Sequence, residues 1–81
     1  MESIKNKLVK IINEICELKG YPLLNPDEEG LDQLKLRDDI GFDSICLAQL
    51  TVYVEEEFGI DIFENGIVNT IGEVIEKLTH E

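Results

Sequence analysis

Residues 38–58 read DDIGFDSICLAQLTVYVEEEF, and from Ser44 onward the segment has the spacing of one helix that carries apolar residues on two of its sides. Counting 100° per residue from Ser44, Leu47, Leu50, Thr51, Val54 and Phe58 fall between roughly 240° and 340°, a continuous stripe expected to face the core. Ile45, Ala48 and Val52 fall between roughly 40° and 100°, flanked by Gln49, Glu55 and Glu56. A helix in a small soluble protein needs only one apolar stripe. One exposed apolar residue is commonplace and could be covered by a loop, but three in register with an acidic rim read as a docking surface for partner proteins.

At the head of this strip stands GFDS, residues 41–44, where Gly41 permits a tight approach and Asp43 or Ser44 caps the helix. A serine in the first helical turn also holds its hydroxyl where unpaired backbone N–H groups and the helix dipole favour an attached phosphate. The position suits a phosphodiester.

Upstream, Ile4, Leu8, Ile11, Ile12, Ile15 and Leu18 recur at spacings of three and four, which predicts a helix over 3–19 with Ser3 as cap and Gly20 and Pro22 as the stop. Residues 20–42 contain two prolines and three glycines and lack a sustained period. They read as a long loop, packed through Leu23, Leu24, Leu31, Leu34, Leu36 and Ile40, with one short helical turn expected at NPDEE. Downstream, IDIF reads as a short extended piece, and ENGIVN is a candidate for one short helical turn. In TIGEVIEKL, Thr70 and Glu73 make a capping box and Ile71, Val74, Ile75 and Leu78 an apolar face, predicting a last helix over 71–79. The expected fold is all-α, a small bundle of three main helices plus one short helix, with a long loop between the first two main helices.

The 81 residues are expected to form one domain, 1–81, and 43% apolar content suffices for a modest core. Neither an apolar run of about 18 residues nor a secretion signal is present, so the cytoplasm is the expected location. Cys16 and Cys46 with the single His80 make no zinc constellation, and DDIGFDS does not fit a calcium loop. A net charge of −11 opposes binding to nucleic acid or anionic membrane and favours basic partners. A hydrolase is excluded because His80 lies in the terminal tail, leaving Ser44 without a histidine base.

The segment LRDDIGFDSICLAQLTVYVEEEFGIDI resembles the central segment of acyl carrier proteins, whose pattern is met here by Asp39, Ile40, Gly41, Asp43, Ser44, Ile45, Glu56, Glu57 and Phe58. The order of helices and long loop matches too, so the resemblance covers nearly the whole chain. It implies a 4′-phosphopantetheine arm on Ser44, with Gly41 and Asp43 beside it, transferred from coenzyme A by a magnesium-dependent holo-acyl-carrier-protein synthase. The acyl group would ride as a thioester on the arm's terminal thiol, and the chain, a monomer, would be a non-catalytic substrate of loading and transfer enzymes with basic docking surfaces. Ile45, Ala48, Gln49, Val52, Glu55 and Glu56 would then meet those enzymes.

Two departures stand out. Fatty-acid-synthesis carriers typically have acidic residues where this chain has Cys46 and Gln49, which implies a dedicated partner set in a specialised biosynthetic pathway; ordinary packing is the alternative for Cys46. The segment between Ile62 and Thr70 is also shorter than in those carriers, which bears on the short helix bordering the acyl pocket and leaves chain-length preference open. An aminoacyl or peptidyl carrier loaded by an adenylating enzyme, and an unmodified helical adaptor, remain as alternative readings.

Overall fold

Ser3 accepts a hydrogen bond from the Asn6 N–H at 3.1 Å and so starts helix α1, Ile4–Lys19, which stops at a left-handed Gly20. The computed structural model describes residues 3–63 and 68–79. Helix α2, Ser44–Phe58, is capped by Asp43 and stopped by Gly59, and α3, Ile71–Thr79, starts from the reciprocal Thr70–Glu73 box. In that box the Glu73 N–H donates to Thr70 Oγ1 at 3.2 Å and the Thr70 N–H to Glu73 Oε1 at 3.3 Å. The sequence signals place these three helices correctly because each signal is local to its own helix end.

Helix α1 packs against α2 and α3 around a core of Leu8, Ile12, Ile15, Leu50, Val54, Ile71 and Val74, all without exposed surface. The buried face of α1 is wider than its three-and-four spacing implies, because Val9 and Cys16 are also inside. Leu18, expected on that face, is 69% exposed at the end of the helix. The fold is mostly helical, and among the described residues the nearest approach to a sheet is an isolated antiparallel bridge between Lys35 and Thr70. Among them, too, no helix is long and apolar enough to cross a membrane.

The long connection between α1 and α2 packs through its own side chains. Leu31, Leu36 and Phe42 are buried, and Tyr21, Leu24, Leu34 and Ile40 lean on the core, whereas Leu23, expected to pack, is 59% exposed. Asn13 on α1 fastens the start of this connection by accepting from the Leu24 N–H and donating to the Leu24 carbonyl. NPDEE forms a hydrogen-bonded turn in place of the expected helical one, its Asn25 carboxamide accepting from the Asp27 N–H at 2.9 Å. The helical turns lie further on, a 3₁₀ turn at Leu31–Gln33 and a wider π turn at Leu36–Ile40. IDIF bends through Ile62 and Phe63 instead of running extended. ENGIVN falls largely on 64–67, outside the described residues.

The 3₁₀ turn lies against α3 at Gly72, where an added Cβ would come within 2.9 Å of the Asp32 carbonyl oxygen and 3.2 Å of Asp32 Cβ. Alanine at this position would favour the helix by about 1 kcal/mol on propensity alone. The clash is with backbone, which cannot swing aside, so Gly72→Ala should lower stability by about 1–3 kcal/mol net. Thermal melting checks this, and a raised melting temperature would show that the turn yields to the methyl group.

Candidate functional site at the start of α2

Helix α2 presents three faces. Cys46, Leu50 and Val54 are fully buried and centre the core face near 240°, about 50° away from the middle of the expected stripe. Leu47, Thr51 and Phe58 are only half-buried. Cys46 is therefore a core residue with no exposed surface, and it takes no part in the exposed apolar strip. Burial pushes the thiol of Cys16 up, and Cys46 adds to that shift, so the pair behaves as apolar filling.

Opposite the core, Ile45 is 64% and Val52 51% exposed, and Ala48, on the same side of the helix, is exposed as well. Glu55 and Glu56 lie exposed on either side of the strip, while the neighbouring Glu57 pairs with Lys7 of α1 at 3.9 Å. The side-chain oxygen of Gln49, Oε1, has neither solvent nor a hydrogen-bond partner among the described residues. That oxygen is thus withdrawn from the surface on which the sequence places the residue.

The third face turns toward a groove of about 530 Å³ lined by Ser44, Leu47, Ala48 and Thr51 from α2, with Arg37, Phe63, Val68 and Asn69 opposite. Thr51 is not an open polar group here, since its hydroxyl donates to the Leu47 carbonyl at 2.9 Å. Leu47 and Thr51, core residues by their spacing, owe their partial exposure to this groove. Ala48 belongs to both the groove lip and the exposed apolar strip.

Ser44 stands at the groove's head, its residue exposed. The sequence leaves the cap open between Asp43 and Ser44, and the structure assigns it to Asp43, whose Oδ1 accepts from the Cys46 N–H at 2.9 Å. That hydrogen bond holds the Asp43 carboxyl below its ordinary range. Phe42, buried beside the cap, anchors the chain so that Asp43 and Ser44 emerge from the core at a fixed point. The Ser44 hydroxyl is left free of the capping role and accepts from Arg37 Nη2 at 3.4 Å.

Gly41 closes the π turn with φ +96°, a conformation that side chains rarely adopt. A Cβ there would meet the Tyr21 ring only at an ordinary 3.9 Å, so the glycine is required by its backbone angle and not by tight packing within the chain. Arg37 and the groove's far wall escape a reading of the sequence. Arg37 is the only arginine in the chain, and it lies seven positions before Ser44 on a segment without helical period, where spacing carries no information about direction.

An exposed helix-start hydroxyl, unused by the cap, thus opens onto a groove with apolar walls. The family described as "Phosphopantetheine attachment site" matches residues 6–78. The chain is 34% identical over 78 residues to an acyl carrier protein of Desulforapulum autotrophicum, covering 94% of both chains. It is 28% identical over 83 residues to an acyl carrier protein of Buchnera aphidicola, covering 100% of this chain and 96% of the relative. It is 30% identical over 66 residues to acyl carrier protein AsbD of Bacillus anthracis, covering 82% of this chain and 66% of the relative. No solved structure matches the chain. The chain belongs to the acyl carrier protein family, whose prosthetic group is phosphopantetheine.

Proposed function

We propose that this protein carries acyl intermediates as thioesters on a 4′-phosphopantetheine arm attached to Ser44. The observation that carries the reading is the Ser44 hydroxyl, exposed, relieved of capping by Asp43 and placed where the groove begins. When bound, the arm supplies a terminal thiol that forms the thioester. The residues of the chain have other tasks. Asp43 and Gly41 fix the position of Ser44, and Leu47, Ala48, Phe63 and Val68 offer apolar wall to a cargo.

The carrier performs no catalysis in this reading. The contact to Ser44 Oγ comes from a guanidinium, which is permanently protonated and cannot act as a base. Attachment therefore requires a partner enzyme, the holo-acyl-carrier-protein synthase: Ser44 Oγ bonds to the pantetheine-side phosphorus of coenzyme A as the pyrophosphate P–O bond breaks, adenosine 3′,5′-bisphosphate leaves, and the hydroxyl proton passes to a base of the synthase. A chain with a net charge of −11 working as a cytoplasmic monomer fits such exchange among basic partners. A specialised pathway rests on Gln49 alone, because Cys46 offers no surface.

The deciding experiment is intact-mass measurement after incubation with coenzyme A and a holo-synthase, followed by mapping of the adduct. A mass gain on the Ser44 peptide is expected, and an unchanged mass would leave only an unmodified adaptor. Protein isolated from its native host would show by its mass whether the cargo is a fatty acyl or an aminoacyl group.

The docking role of Ile45, Ala48, Gln49, Val52, Glu55 and Glu56 has its own test. Reversing Glu55 and Glu56 to lysine should slow association with the holo-synthase by roughly ten-fold at low salt, with the loss shrinking as salt screens the charges. Glu17, exposed on α1 and distant in sequence from the strip, is the control. Glu17→Lys should cost less per charge reversed, and equal sensitivity at both places would mean that only net charge matters.

A further inference from the structure

The groove head contains one group that the carrier reading leaves without a task. Arg37, the chain's only arginine, points its Nη2 at Ser44 Oγ from 3.4 Å, across the mouth of the groove. That distance is long for a hydrogen bond to a neutral hydroxyl, so the contact itself contributes little. The backbone beneath Arg37, by contrast, is firmly held. The Leu36 N–H donates to the Asn69 carbonyl at 2.7 Å, the Phe42 N–H to the Leu36 carbonyl at 2.9 Å, and the Lys35 N–H to Asp39 Oδ2 at 2.7 Å. Leu36 itself is buried without exposed surface. Among the described residues no carboxylate pairs with the guanidinium.

We infer that Arg37 is a positioning residue for the phosphodiester on Ser44, holding the root of the arm on the groove side of α2. This rests on the attachment of the arm at Ser44. Esterification would place phosphorus one bond beyond Oγ and its two non-bridging oxygens, which share one negative charge, two bonds beyond, within reach of a guanidinium that already lies 3.4 Å from Oγ. A planar fork of donors matches two phosphate oxygens, whereas a hydroxyl can use only one of them. The need is electrostatic as well, because Asp38, Asp39 and Asp43 crowd the same stretch of an acidic chain and disfavour another anion there. Held by Arg37, the arm leaves its phosphate along the wall formed by Leu47, Phe63 and Val68, in place of pointing freely into solvent.

The test uses the arm-bearing protein as wild type, Arg37→Ala, Arg37→Lys and Lys35→Ala, the last removing a cation from the same segment. Intact mass first establishes the arm on each. Phosphorus NMR then reads the diester directly, and proton cross-relaxation between the arm and Leu47 or Phe63 reads its placement. Arg37→Ala should move the phosphorus resonance and lower the docked population about two- to five-fold, with the difference fading at high salt. Arg37→Lys should restore part of both, Lys35→Ala should change neither, and the amide spectrum of the arm-free Arg37→Ala protein should match wild type outside the turn. A phosphorus resonance and arm contacts identical in wild type and Arg37→Ala would overturn the role of Arg37 while leaving attachment intact. Absence of an arm from Ser44 in the wild type would overturn both.

Discussion

Val54→Asp should leave the chain largely unfolded, while Val52→Asp, two residues away, should fold normally. Val54 is completely buried against α1, and Val52 is 51% exposed on the opposite side of the same helix. Removing the buried valine forfeits about 1.5–3 kcal/mol of apolar burial, and placing a carboxylate there adds a desolvation cost of several kcal/mol more. A chain of this size commands roughly 4–12 kcal/mol of total stability, so the sum takes most or all of it. At Val52 the change should stay within about 0.5 kcal/mol. Circular dichroism and urea unfolding read both variants. Val52→Asp should nevertheless impair arm transfer, because it sets a charge in the apolar strip. Greater damage to the fold from Val52→Asp than from Val54→Asp would mean that α2 faces the other way.

The second large effect is all-or-none. Ser44→Ala should abolish the mass gain from coenzyme A and the holo-synthase, since no other hydroxyl occupies the groove head at the start of α2 among the described residues. Its cost in stability should be under about 0.5 kcal/mol, because alanine is a good helix former and the cap does not pass through Ser44. Asp43→Ala supplies the contrast. It removes the acceptor for the Cys46 N–H and should cost about 0.5–2 kcal/mol. An arm still attached in Ser44→Ala would refute the site, and a stability loss larger than that of Asp43→Ala would refute the cap assignment.

The serine motif and the apolar strip are both legible in the amino-acid sequence. Gly41, Asp43, Ser44, Ile45, Ala48 and Val52 lie within twelve residues, on one helix start and one helix face. The arc of the core face is less legible. Helical spacing alone ranks Leu47 and Thr51 with Leu50 and passes over Cys46, yet the groove leaves the first two half-open while Cys46 fills the core as a small hydrophobe. Leu18 and Leu23 fail for the related reason that a hydrophobic residue near a helix end is buried only if something crosses over it.

By itself the sequence determined the extent of the three helices, leaving to the structure only the choice of Asp43 over Ser44 as the cap of α2, since the signals at Ser3, Gly20, Asp43, Gly59, Thr70 and Glu73 act through hydrogen bonds and backbone angles within a few residues. It likewise determined that α2 would carry a second apolar face, because helical period is a local property. Only the tertiary structure decided that Arg37 reaches Ser44, that Gly72 rests on Asp32, and that Phe63, Val68 and Asn69 complete the groove. These contacts join segments whose separation in the chain sets no direction in space. Their geometry emerges when burial of Leu31, Leu36 and Phe42 folds the irregular connection onto the helices, and that packing depends on every element at once.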